Sequence, residues 1–141
     1  LAAHRNIAGV KEASGDLAQV MDLIARRPAG FTVLSGDDNL AFPMMALGGE
    51  GVISVASNVV PAGIKALVAA ALRGDWKAAR EEHYRWLPLF KALFIETNPI
   101  PVKAALAAKG LIDEQYRLPM CAMETPNRDK LLAVLRELRV L

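Results

Sequence analysis

Apolar residues follow two rhythms along this chain: short unbroken runs, and stretches where they recur every three or four positions. The first run, Ile7 to Val10, ends in Lys11 and breaks into the small-residue turn Ala13-Ser14-Gly15-Asp16. Leu17, Val20, Met21 and Ile24 then recur at helical spacing, with Ser14 or Asp16 placed to cap the start. Arg26, Arg27, Pro28 and Gly30 stop that helix, with positive charge near its C-terminus. Phe31 to Leu34 is a second apolar run, rich enough in β-formers to predict a buried strand. Ser35-Gly36-Asp37-Asp38 turns into a short helix through Phe42, Met45 and Leu47, with Pro43 within its first turn. Gly48-Gly49-Glu50-Gly51 breaks it, Val52 to Val55 predicts a third strand, and Pro61 opens a third helix through Leu72.

Residues 5 to 72 are therefore three βα units in series. Alternation with short connections predicts an α/β fold with a parallel sheet and helices packed outside it. An open doubly wound sheet and a closed barrel both satisfy this pattern. From Gly74 the strand rhythm stops. Asp75 can cap a long helix whose apolar positions include Ala79, Trp86, Leu87, Phe90, Leu93 and Phe94. A second helix follows Asn98-Pro99 and ends at Lys109-Gly110, and Thr125-Pro126 opens a last one striped by Leu131, Val134, Leu135 and Leu138. The division is thus residues 1–73, βα units, and residues 74–141, an all-helical C-terminal region.

Composition narrows the function classes. A hydrophobic content of 53% supplies a core, and a net charge of +2 with scattered basic residues argues against a nucleic-acid partner. No apolar run approaches the ~18 residues that span a bilayer, and His4, Arg5 and Asn6 interrupt any signal-peptide pattern, so a cytoplasmic protein is expected. The single cysteine, Cys121, provides neither a disulfide framework nor a cysteine metal site.

Lys11 is the residue that most invites chemistry. In parallel βα folds the carboxyl ends of the strands converge on the site, and an amine there admits two uses. It is either a solvated strand-end lysine, or a dehydrated amine whose lowered pKa lets it attack a ketone and form a Schiff base. Asp37 and Asp38 could bind a divalent metal or cap the helix after their turn; no third acidic residue is spaced to complete a metal shell, so capping is expected. Gly36 leaves room for backbone to approach a bound substrate. Gly48-Gly49-Glu50-Gly51 precedes a strand, whereas a dinucleotide-binding glycine motif follows one, so it is a helix stop. Asn98-Pro99-Ile100-Pro101 is a rigid corner, because proline fixes its own φ and restricts the residue before it. Lys103, His4 and His83 are expected to be structural, and Trp76, Tyr84, Trp86 and Phe90 to pack.

Four strings stand here in one order: Gly9-Val-Lys-Glu-Ala-Ser-Gly-Asp16, Leu34-Ser-Gly-Asp-Asp38, Gly51-Val-Ile-Ser-Val-Ala-Ser-Asn58 and Asn98-Pro-Ile-Pro-Val-Lys103. Together they closely resemble the dihydrodipicolinate synthase family, within the wider pyruvate-dependent aldolase and N-acetylneuraminate lyase superfamily. The resemblance runs over essentially the whole chain, yet covers only the C-terminal half of such an enzyme, in keeping with a ~250-residue (β/α)8 barrel. It implies that residues 1–73 are the last three βα units of a TIM barrel. It implies that Lys11 carries the pyruvate Schiff base, and that the backbone carbonyl of Ile53 lies beside the pyruvate-derived group. The implied reaction is an aldol-type condensation of pyruvate with aspartate semialdehyde towards diaminopimelate and lysine, with no metal or organic cofactor. Another pyruvate-dependent aldolase of the superfamily, or a non-catalytic assembly fragment, is the alternative.

The resemblance also places the hydroxyl, tyrosine and arginine partners of the lysine outside these residues. The chain alone is therefore expected to be nearly inactive. Three barrel strands leave two open edges and an inward apolar face, expected to hold Val10, Val33 and Val52. The chain is expected to form a homo-oligomer, or to pair with one supplying the N-terminal half.

Overall fold

The computed structural model describes residues 1–141, and its strands and helices alternate as the sequence predicts. β1 (Gly9–Glu12), α1 (Leu17–Arg26), β2 (Thr32–Ser35), α2 (Asp38–Ala46), β3 (Gly51–Val52) and α3 (Pro61–Leu72) form the three βα units. A short 3₁₀ helix, Ala56–Asn58, stands between β3 and α3. Helices α4 (Trp76–Ala92), α5 (Ile100–Ala108) and α6 (Thr125–Glu137) complete the chain. The strands make one parallel sheet in the order β1-β2-β3, with Lys11 opposite Leu34 and Leu34 opposite Gly51.

Local chemistry sets the boundaries. Asp16 caps α1, its Oδ1 accepting from the Ala18 N–H at 2.8 Å, while Ser14 Oγ accepts from the Asp16 N–H. Asp75 caps α4 in the same way through the Ala78 N–H. Both early strands begin later than the apolar runs suggest. Ile7 and Phe31 donate their N–H groups to turn carbonyls, those of His4 and Pro28, so neither joins the ladder. Lys11 therefore lies inside β1 and does not follow it. β3 is shorter than the expected Val52 to Val55, because the N–H groups of Val55 and Ala56 go to the Asp38 carboxylate. Pro43 is the sixth residue of α2, deeper than its first turn.

The period-two alternation of the strands decides which side chains meet the helices. Val33 is fully buried with Val20 of α1 and Met44 of α2, and Val10 packs against the same cluster. Val52 packs against the largest cluster, which joins Ala56, Val59, Ile64 and Leu67 to Trp86, Leu89, Phe90, Leu131 and Leu135. That cluster draws on both sides of the expected 73/74 boundary. The valines expected on the open inward face thus point outward into the helical layer. The opposite face carries Gly9, Lys11, Thr32, Leu34 and Ile53.

Among the aromatic side chains, Trp86 and Phe90 are buried as expected, whereas Tyr84 is 63% exposed and Trp76 lies partly open beside Phe42. The Trp86 ring covers Gly63 so closely that a methyl group there would sit 2.5 Å from the indole.

Candidate active site

Lys11, Leu34 and Ile53 line one open cleft of about 310 Å³ with Ala8, Gly9, Val10 and Thr32. Parallel register brings them together: Lys11 and Leu34 are neighbours across β1 and β2, and Ile53 follows β3 directly. The Ile53 N–H donates to the Ser35 carbonyl at 2.8 Å, continuing the ladder one bond beyond β3. Its side chain is 47% exposed on the cleft side. Lys11 is exposed as well, so the dehydration expected around its amine is not produced by these residues.

Gly36 reaches the site in a way that sequence alone does not give. Its N–H donates to the Glu12 carbonyl at 2.6 Å, drawing the β2–α2 turn against β1. A methyl group at Gly36 would lie 2.5 Å from Ala13 Cβ and 3.0 Å from Lys11 Cε. Contacts that short are excluded between packed carbons, so the missing side chain clears the path of Lys11 itself. Gly9 clears room for β2 instead: a methyl group there would meet the Thr32 carbonyl oxygen at 2.4 Å.

The carboxylates around the turn are structural. Glu12 points to the helical face, 5% exposed, with Oε1 accepting from the Ser14 N–H and from Gln19 Nε2. Glu50 joins β2 through both of its ends: its N–H donates to the Val33 carbonyl and its Oε2 accepts the Val33 N–H, while Oε1 pairs with Arg27 at 2.6 Å. Asp37 makes no side-chain bond to the start of α2, where capping was expected. Asp38 caps a different element, holding the N–H groups of Val55 and Ala56 at the entrance of the 3₁₀ helix. No group of three or more His, Cys, Asp or Glu side chains is placed to hold a metal ion.

The remaining candidates fall away from the cleft. His83 is buried among Phe42, Tyr84 and Phe90, and burial pushes its pKa down. His4 turns back on the Asn6 N–H. Lys103 donates to the Gln115 carbonyl and lies 5.2 Å from the centre of the Tyr116 ring. The Tyr116 hydroxyl lies within hydrogen-bond reach of the Ile100 carbonyl and Glu114.

Two features of the site escaped the sequence reading. Thr32 and Leu34 line the cleft, which the alternation of β2 would have shown once its first residue was known. Asp38 had a usable signal too: it shares the buried face of α2 with Ala41 and Met45, three and seven residues on. A carboxylate on an apolar helical stripe demands a buried donor.

Comparison with known proteins fits this geometry. The Dihydrodipicolinate synthetase family matches residues 1–138. The 4-hydroxy-tetrahydrodipicolinate synthase of Koribacter versatilis is 53% identical over 136 residues, covering 96% of this chain and 45% of the relative. The crystal structure of dihydrodipicolinate synthase from Aquifex aeolicus superposes with a TM-score of 0.96 at 47% identity, over 98% of this chain and 47% of that one. The chloride-inhibited dihydrodipicolinate synthase from Acinetobacter baumannii, complexed with pyruvate, gives 0.96 at 37% identity, over all of this chain and 48% of that one. The chain spans about half the length of the relatives it matches.

Proposed function

Since the chain belongs to the Dihydrodipicolinate synthetase family, we propose that it carries the Schiff-base half of a pyruvate-dependent aldolase-type synthase. The observation that carries this reading is the passage of the Lys11 side chain over Gly36 towards the cleft that Ile53 also lines. An amine at that position has an open approach to a small ketone.

Lys11 Nζ, in its neutral form, attacks the C2 carbon of pyruvate. Water leaves and an iminium forms between lysine and substrate. The iminium draws electrons from the methyl carbon, which releases a proton and becomes the nucleophilic end of an enamine. That carbon attacks the aldehyde of aspartate semialdehyde, forming the new carbon–carbon bond. Attack by the substrate's own amino group, with cyclisation, then expels Lys11 and regenerates the amine. The cationic imine supplies the electron sink, so none of these steps calls on a metal.

Proton transfers in this sequence need acids and bases that the cleft lacks. Both tyrosines of the chain lie in the helical region, and the Tyr116 hydroxyl is committed to Glu114 and Ile100. A proton relay contributes ~10²–10⁴ in rate. The 141 residues alone are therefore nearly inactive, and condensation requires an N-terminal half that covers the cleft.

Incubation with pyruvate and borohydride, in the presence of a polypeptide supplying that half, tests the assignment. The expected product is a reduced adduct on the peptide bearing Lys11, absent in Lys11→Ala. An equal adduct in Lys11→Ala, or one confined to surface lysines, overturns it. No adduct at all favours a non-catalytic assembly role.

A further inference from the structure

The end of β2 and the turn after it hold both halves of the cleft. On one side they meet β1 through Gly36 and the Glu12 carbonyl; on the other, the Ser35 carbonyl accepts the Ile53 N–H. Beyond Ile53 the chain could continue as a strand, and its apolar run favours that. Asp38 prevents it. Its side chain is 2% exposed, and its Oδ2 accepts the N–H groups of Val55 at 3.1 Å and Ala56 at 2.9 Å. Oδ1 is equally buried and has no partner.

A buried carboxylate is costly unless it is hydrogen-bonded, and here one oxygen carries both bonds. Hydrogen bonds to an ionised acceptor are roughly twice as strong as neutral ones. The segment from Ile53 to Ala56 is consequently held at three of its four N–H groups: that of Ile53 by Ser35, and those of Val55 and Ala56 by Asp38. It has one path available, and Ile53 sits at the start of it.

We propose that Asp38 is a positioning residue for pyruvate capture: by fixing the Ile53–Ala56 segment it sets Ile53 beside the amine of Lys11. The inference rests on the Schiff-base reading above, although Asp38 itself touches no substrate. It acts through the two N–H groups it holds.

Two substitutions separate hydrogen bonding from charge. Asp38→Asn keeps an acceptor oxygen for both N–H groups, and its amide nitrogen occupies the place of Oδ1, where no bond is lost. Asp38→Ala removes the oxygen that accepts both bonds. Should Asp38→Ala not fold, Asp38→Ser takes its place, because its shorter side chain cannot reach both donors.

Amide exchange reads the positioning directly. The N–H groups of Val55 and Ala56 exchange slowly in the wild-type chain, and about tenfold faster or more in Asp38→Ala, the scale of a lost charge-assisted hydrogen bond. Amides of α4 are unchanged, which a general loss of stability would not allow. The borohydride adduct on Lys11, measured against pyruvate concentration with the complementing half present, supplies the second readout. Half-saturation rises about tenfold in Asp38→Ala at the same maximal yield, while Asp38→Asn stays within about threefold of wild type. Unprotected Val55 and Ala56 amides in the wild-type chain, or a trapping curve indifferent to Asp38, overturn the inference alone. A wild-type chain that forms no adduct overturns the aldolase reading, and with it the consequence for pyruvate. Exchange protection would then record a purely structural clamp.

Discussion

At Gly36 a single hydrogen atom in place of a methyl group decides whether a lysine can reach its cleft. The residue has no positive φ to require glycine; the requirement is the space taken by Ala13 Cβ and Lys11 Cε. Gly36→Ala forces a carbon into a 2.5 Å contact with Ala13, and overpacking of this kind costs ~1–3 kcal/mol. The expected outcome is a lower denaturant midpoint together with a reduced yield of the Lys11–pyruvate adduct. A Gly36→Ala chain with wild-type stability and wild-type adduct formation would refute the steric role. The sequence marks Gly36 as a place where backbone can approach a bound substrate. The structure adds a steric task that the motif does not show, because clearance for Lys11 depends on a neighbouring strand that the motif does not contain.

Elements are held together here by polar groups as much as by apolar stripes. The segment between α5 and α6 is pinned by Glu114, whose two oxygens accept from Arg128 Nη1 at 2.6 Å each, and by the Tyr116 hydroxyl. The Arg128 hydrogen bond holds the Glu114 carboxyl below its ordinary range. Burial, followed by the Glu114 hydrogen bond, pushes the Tyr116 phenol up to about 12. Each shift has its own pH window. A depressed carboxyl pKa adds stability above the unfolded value of about 4.3, which is lost as pH falls through the folded pKa. A raised phenol pKa adds stability below about pH 10, lost as pH climbs towards the folded value. Ultraviolet titration should show Tyr116 ionising near pH 12 in the folded chain. In Glu114→Gln the phenolate should form at lower pH, and the acid side of the stability curve should flatten. Tyr116 ionising near 10 in the folded wild-type chain would show that this latch does not form.

For the whole molecule, the governing fact is a sheet of three parallel strands with β1 and β3 at its edges. One face is covered by helices. The other presents Thr32, Leu34, Ile53 and Lys11, and edge strands offer unpaired backbone groups to any chain that can add to them. A second groove, lined by Val10, Leu23, Pro28 and Phe31, opens beside β1 and α1. The isolated chain should therefore self-associate, and addition of an N-terminal half should replace that association with a defined complex. Sedimentation across a concentration series measures both. A stable monomer with a cooperative melt would show that the uncovered face and edges need no partner.

Sequence by itself determined the order of elements, the parallel βα rhythm, the helical C-terminal region and the lysine at the centre of the proposed chemistry. Those follow from local signals: runs such as Phe31 to Leu34, the caps Asp16 and Asp75, and motifs whose residues adjoin in the chain. The ends of the strands were not legible: Ile7 and Phe31 give their N–H groups to turn carbonyls three residues back, and Val55 gives its own to Asp38, which only the folded chain brings near. A shift of one residue in a strand reverses the face of every side chain in it. That is why Val10, Val33 and Val52, expected towards the open interior, pack into the helical layer. Tertiary structure alone decided that Gly36 yields to Lys11, and that Asp38 reaches seventeen and eighteen residues along the chain to stop β3. Each depends on atoms meeting across the register of the sheet, a relation fixed when the strands align.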